Sequence, residues 1–502
     1  MDEPFSNDID DKDFEQNNKK SSCSIIVVLI IIIGILTLGI VGMVILYLLK
    51  KPNNNIPNNN IPDNGQDNGE EIIGNRIIKF EQPKETAPAK HIIVHIPEKE
   101  IFMSTLHPGA SLYEDVTNDI EVKKCFKELK SFLKEKNIEL ITVRSALKLN
   151  KKALKQLASE ALTYKYIEEN DDKEKFDSKS YTQFLEQIKD EYKNTVLDKL
   201  SEDQLVDVVL NNPTYELRPT NSNTFIEPIS IKFNPLGNLV FCRDQQITTK
   251  KGVVIGRARS SQRAGEHKIM EQVFKNINAT IIGNALKGGN NSYLEGGDYF
   301  VAKEDLSMLG VGLRTSLDGA KYLMENDLLG TKFLAIIYDY EDLDQQRMHL
   351  DTYFNFLSDN YVIVLDFDEV QKHYNDKKIE RKVFLYEKQA SDTINDTLIE
   401  VNGTNITDIP KEFGEYKLVS VYQKFYDFLE DNGYKMIKVT HQQQVDYIIN
   451  FLNIGNGEIL SVTKDLMKVA EPSGTKIKYF EFKAILNMYG ATHCITQVSR
   501  VD

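Results

Sequence analysis

The chain has 502 residues, 41% hydrophobic and 27% charged, with a formal net charge of −14. That length allows one large domain or two to three smaller ones, with ample apolar surface for a core. Four cysteines, at positions 23, 125, 242 and 494, are too few and too scattered for a disulfide framework, and the acidic balance argues against a nucleic-acid partner, which needs a basic patch.

Residues 1–23 form an acidic, polar tail. The stretch 24–49 contains IIVVLIIIIGILTLGIVGMVILYLL, without charge or proline and long enough to cross a bilayer as one helix. Its apolar core is longer than that of a secretory signal, so the expectation is an uncleaved single-pass membrane anchor. Lys12, Lys19 and Lys20 before it, against Lys50 and Lys51 after it, lean towards a cytoplasmic N-terminus. Sequons begin at Asn278, Asn290, Asn395, Asn402 and Asn405 and would be usable on a luminal side. Residues 52–75, with an imperfect NNNIP repeat, cannot bury enough apolar surface to order themselves. The segment 50–84 therefore reads as a disordered linker, ahead of a catalytic body over 85–502.

In the body, HIIVHI (91–96) reads as a buried strand, 119–136 as a helix and IELITV (138–143) as a second strand. Residues 145–212 have helical spacing and no strand run, the pattern of a helical insertion in an α/β body. Beyond it a weak repeat emerges. FCRD (241–244), LEGGD (294–298) and HLDT (349–352) are each followed about ten residues on by a short apolar strand, and LNIGNGEIL (452–460) is a shortened version. Asp244 to Arg263 and Glu295 to Arg314 share a spacing of nineteen residues. Recurring units of this kind imply a repeat architecture closed around a centre, with polar groups at strand ends converging on one site.

The converging groups are three acids (Asp244, Glu295 and Asp351), His349, Cys494, Arg263 and Arg314. Three readings compete. A metal site would use His349, Asp351 and further acids, but no second His at helical spacing or CxxC supports it. A hydrolase would use Cys494 as nucleophile and His349 as its acid–base partner. In a purely structural reading the acids cap loops and pair with cations. Acids near a thiol raise its pKa, which hinders a nucleophile unless the substrate brings the compensating charge. A guanidinium does so, being planar, permanently charged and able to meet two carboxylates in a bidentate way.

Residues from about 90 to 502 resemble arginine deiminase, within the guanidine-modifying superfamily. HIIVHIPEKEI, SLYEDV, FNPLGNLVFCRD, SQRAGE, LEGGD, GLRTS, HLDT and GATHC occur in order, at the spacing of that family. The resemblance implies a five-bladed, pseudo-symmetric α/β propeller. It implies that Cys494 attacks the guanidinium carbon, that His349 protonates departing ammonia and then activates water, that Asp244 and Asp351 grip the guanidinium nitrogens, and that Glu295 orders His349. It places Asn238, Phe241, Asp298, Arg263 and Arg314 in the substrate-binding set, the two arginines facing the substrate carboxylate. The product would be citrulline and ammonia, from L-arginine or another guanidine such as agmatine or a methylated arginine. Amidino transfer, and a non-catalytic binding protein on the same fold, are the alternatives. No metal or organic cofactor is implied, and a homo-oligomer is compatible with the reading. Four positions depart from the family pattern: Cys242 stands where Thr is usual, Gln245-Gln246 where Pro-Phe is usual, and Tyr489 where an Arg is common.

Overall fold

The computed structural model describes residues 77–502, except 168–175, 177, 221–223, 340–341, 375–380 and 390–408. The expected anchor at 24–49, most of the linker and the sequons at Asn395, Asn402 and Asn405 lie outside the described residues. Among the described residues no helix is long and apolar enough to cross a membrane. Asn278 and Asn290 are exposed.

The fold is α/β and repeats one pattern five times: a strand, an antiparallel neighbour, then a parallel third strand reached through a helix. In the first unit β1 (His91–Val94) is central, flanked in parallel by β2 (Glu139–Thr142) and antiparallel by the chain's last strand, Gln497–Ser499. The two ends of the body are thereby stitched together. The connecting helix α1 (Asp119–Glu135) starts at Asn118, whose side chain accepts the Ile120 amide at 2.9 Å. It buries Val122, Phe126, Leu129 and Leu133 at three- and four-residue spacing, the apolar stripe that sets it against the sheet.

The second unit pairs Gln246–Thr248 with Val253–Ile255, and the latter runs parallel to Ile281–Asn284. The third pairs Tyr299–Lys303 with Leu306–Val311 and Phe333–Tyr338. The fourth pairs Phe354–Phe356 with Tyr361–Leu365 and Lys435–Val439, and the fifth Leu452–Gly455 with Glu458–Ser461 and Lys476–Tyr479. The third unit is enlarged to six strands by Lys382–Lys388, Tyr416–Tyr422 and Glu412–Phe413. The repeat places one loop just ahead of the first strand of every unit, and these loops hold Asp244, Glu295, His349 and Asp351, Asn450, and Cys494.

Two expectations need correction. The insertion is not purely helical: Thr163–Tyr166 pairs in parallel with Pro213–Pro219, which pairs with Ile226–Phe233 in a separate three-stranded sheet. Four residues of alternating, half-exposed TYKY give a weak local signal, and the strand exists because its partner lies about fifty residues on. Nor does the linker reach residue 84. Ile78 and Phe80 are buried, Phe80 packs edge-on against Phe274 with ring centroids 5.1 Å apart, and Glu85 is buried against Arg500.

That last pair closes the body. Arg500 donates to Glu85 Oε1 at 3.0 Å and to the Asn453 carbonyl at 2.8 Å, with both side chains essentially inaccessible. Burial alone would raise the Glu85 pKa, but Arg500 and His493 outweigh it and hold it at about 2. Glu85→Ala leaves a buried guanidinium without its counter-charge and is expected to cost about 3–5 kcal/mol in chemical denaturation. The combined Glu85→Leu/Arg500→Met change should cost less than that single change. Because the folded pKa is depressed, the pair's contribution is complete above about 4.5 and should be lost as pH falls towards about 2.

Candidate active site

The loop ahead of Tyr299–Lys303 carries Glu295-Gly296-Gly297-Asp298. A Cβ on Gly296 would collide with the carbonyls of Arg243 and Gln246, and one on Gly297 would come within 2.8 Å of the His349 ring. The two glycines let three loops meet without side chains between them. Asp298 accepts the Leu350 amide at 2.9 Å and the Thr315 amide at 3.2 Å, so it braces the turn after His349. Burial pushes its pKa up to about 7. Asp298 was expected among the substrate-binding residues; it sits instead behind them, holding the loops.

His349 is fully buried, with Nε2 2.9 Å from Glu295 Oε2 and Nδ1 3.9 Å from Asp244 Oδ1. Burial disfavours its charge, yet Asp244, Asp298 and Glu295 outweigh that and raise its pKa to about 10. Glu295 faces the same burial penalty and is nonetheless driven well below the carboxylate range, chiefly by His349. The ring is thus an imidazolium at neutral pH.

Cys494 is buried, and Asn450 Nδ2 donates to its Sγ at 3.1 Å, while the thiol lies 3.6 Å from Asp351 Oδ2. Asn450 also accepts the amides of Ala491 at 3.1 Å and Cys494 at 3.3 Å, which fixes the turn carrying the sulfur. Burial, then Asp351 and Asp244, push the thiol well above its ordinary value. Behind Asp351 stands His493, its Nδ1 2.7 Å from the same Oδ2 and its ring stacked on Phe300. Burial would raise the Asp351 pKa, but His493 lowers it and keeps a carboxylate beside the sulfur. Asp351 Oδ1 is buried without a hydrogen-bond partner.

Beside these groups opens a cleft lined by Asn238, Phe241, Asp244, Arg263, Arg314 and Cys494, among others. Glu295, His349 and Asp351 are not among its lining residues but meet those that are, His349 lying 3.9 Å from Asp244 and Asp351 3.6 Å from Cys494. Arg263, expected to face the substrate carboxylate, is already engaged within the protein. It donates to Asp244 Oδ2 at 2.8 Å, to Glu266 Oε2 at 2.9 Å and to the Asn238 carbonyl at 3.3 Å. Two carboxylates already neutralise it. Arg314 instead meets only neutral groups, Gln345 Oε1 at 3.0 Å and Met348 Sδ at 3.4 Å, and its buried Nε has no partner.

Asp244, Glu295 and His349 offer ligand atoms within 4.8 Å of one another, spacing that a metal ion could bridge. A ligating histidine must be neutral. Here the carboxylates stabilise its proton instead, and Asp244 already faces the Arg263 cation. The set suits a proton and a guanidinium better than a metal.

Asn450, His493, Glu85 and Gln345 were not singled out from sequence. Asn450 stands two residues ahead of the strand Leu452–Gly455, as Asp244 stands two ahead of Gln246–Thr248, but an amide there carries no local mark.

The comparisons assign the chain at family level. The sequence model of arginine deiminase matches residues 110–500, and the chain belongs to the arginine deiminase family. Arginine deiminase 1 of Staphylococcus epidermidis is 22% identical over 335 residues, 63% of this chain and 74% of the relative. The enzymes of Staphylococcus haemolyticus and Borrelia garinii are 24% and 26% identical, but the chain spans only 53% and 57% of their lengths. Among solved structures, the N-terminal domain of ArgZ, an arginine dihydrolase of Cyanobacteria, aligns with a TM-score of 0.43 at 14% identity, over 81% of this chain and 97% of that one. A dimethylarginine dimethylaminohydrolase adduct aligns with a TM-score of 0.42 at 11% identity, over 82% and 99%.

The raised thiol pKa predicts slow alkylation. Iodoacetamide should label Cys494 of the unliganded chain slowly at pH 8, speeding up steadily at more alkaline pH, as followed by peptide mass spectrometry. A guanidinium ligand too small to cover the sulfur should accelerate labelling. Rapid, pH-independent labelling in the unliganded chain would contradict the electrostatic picture.

Proposed function

We propose that this protein hydrolyses the guanidinium group of L-arginine to L-citrulline and ammonia through a covalent intermediate on Cys494. The observation that carries the reading is the buried thiol facing Asp351 and Asp244 beside an imidazolium at the floor of a cleft. A guanidinium entering the cleft supplies the positive charge those carboxylates lack, the thiol proton leaves to solvent, and the thiolate attacks the guanidinium carbon. His349 gives its proton to the departing nitrogen, which leaves as ammonia, and an S-alkylthiouronium remains. The neutral His349 then takes a proton from the incoming water as its oxygen bonds to carbon. Collapse expels the sulfur, the remaining hydroxyl proton passes to it to restore the thiol, and citrulline is released. Asp351 Oδ1, lacking any other partner, receives a guanidinium N–H.

Three wider readings accompany this one. The five units are arranged about a pseudo-fivefold axis, a reading supported by the convergence of their leading loops on one site. The stretch 24–49 anchors the chain as a single-pass span with a cytoplasmic N-terminus, as its uncharged length supports. A different guanidine, above all agmatine, is the second substrate reading. It is favoured by one observation: Arg263 is already paired twice, so only Arg314 remains for a substrate carboxylate.

Product analysis on the full-length chain tests these readings. L-arginine should be turned over about ten- to a hundredfold more efficiently than agmatine, the worth of one charge-assisted pair, and Arg314→Ala should narrow the gap. Equal or better turnover of agmatine would move the assignment to the second substrate. Asp351→Asn should lower kcat/KM for arginine at least about tenfold, since it removes an anionic acceptor and misplaces the reacting carbon. With His349 raised to about 10, kcat/KM should fall above about pH 10, where the acid is lost, and not near pH 6.5.

A further inference from the structure

A second pocket adjoins the guanidine cleft and shares Gln345, Met348 and Tyr489 with it. Gln345 is the residue bonded to Arg314, so the junction lies at the end where the substrate's amino-acid group would sit. The guanidinium chemistry leaves this chamber unused. Among the described residues its lining includes no Lys, Arg or His. Among the described residues Glu114, which is exposed, is the only charged one in the lining. It also includes Gln444, 4% exposed, whose Oε1 is buried with no hydrogen-bond partner while its amide donates to the Gln346 carbonyl at 2.7 Å. The wall is therefore rich in acceptors. Two of its tyrosines, Tyr447 and Tyr489, hold φ of 61° and 66°, in the left-handed region that a bulky residue rarely adopts. Backbone strain of this kind gathers at ligand sites.

We propose that this chamber is a subsite for the residue preceding a C-terminal arginine, so that the protein deiminates short peptides ending in arginine. The inference rests on the arginine reading above and extends it. The arginine carboxylate stays on Arg314. The peptide N–H, in place of a free α-ammonium, donates to the acceptor that Gln444 leaves open. The terminal ammonium of a dipeptide reaches Glu114 at the mouth, and Met348, Val445 and the tyrosine rings enclose a small side chain. A substrate tail bearing a second carboxylate finds no cation among the lining residues and is disfavoured.

The test measures binding separately from turnover. Calorimetry on the full-length Cys494→Ser chain, with glycyl-L-arginine, L-arginine and Nα-acetyl-L-arginine, should show the dipeptide binding at least as tightly as arginine. It should bind about tenfold more tightly than the acetylated compound, which lacks the ammonium. Adding Glu114→Gln should erase that tenfold margin and leave arginine within about twofold, because Glu114 lies outside the guanidine cleft. The wild-type chain should convert glycyl-arginine to glycyl-citrulline. No dipeptide binding, or binding that Glu114→Gln leaves untouched, overturns the subsite. Arginine turnover without dipeptide binding sinks the subsite alone. Dipeptide binding through Glu114, with no citrulline formed from any guanidine, sinks the hydrolase reading alone.

Discussion

The site is built around buried negative charge that the protein does not fully compensate. Asp244, Glu295 and Asp351 are all less than 5% exposed; His349, His493 and Arg263 touch them, Arg263 being shared with Glu266, and Arg314 and Arg243 act on them from further away. In a medium of low polarity such an excess is costly unless a cation is present or bound. The consequences run through the cluster. Histidine is held protonated, the thiol is held protonated, and Asp351 keeps one oxygen without a partner. An incoming cation changes all of these at once, so the charge deficit that disfavours the empty site is what would recognise a guanidinium.

The fold supplies that concentration of charge by repetition. Each of the five units sends one loop towards the same place, and each loop ends where its first strand begins, so the backbone there is anchored on one side by a sheet. Gly296 and Gly297 permit the close approach, and Asp298 and Asn450 tie loops of different units through backbone amides. The Glu85–Arg500 pair and the antiparallel pairing of Gln497–Ser499 with His91–Val94 close the body behind the Cys494 turn. Rigidity at the sulfur is thus inherited from contacts far apart in sequence.

What could be read beforehand follows from this. Cys494, His349, Glu295, Asp244 and Asp351 were legible because each sits in a short polar motif just ahead of an apolar strand, a pattern local enough to see in one chain. Asn450 follows the same rule but with an amide in a shortened motif, and nothing local marks an amide as special. The fate of Arg263 was partly legible: Glu266 lies three residues on, one helical turn, where an ion pair is expected. What the spacing could not reveal is that Asp244 also folds onto it, since that contact depends on how two loops meet. The short strand Thr163–Tyr166 was hidden because its partner is distant, and the role of His493 because its partners Asp351 and Glu85 come from other units.

The central claim is that Cys494 becomes covalently bonded to the guanidinium carbon. Rapid acid quenching of the wild-type chain turning over L-arginine, followed by peptide mass spectrometry, addresses it directly. The account predicts an arginine-derived adduct on the peptide containing Cys494, appearing before citrulline accumulates and absent from Cys494→Ser, which should form no citrulline. Citrulline production by Cys494→Ser at a rate near that of the wild type, with no adduct on the wild-type peptide, would contradict it.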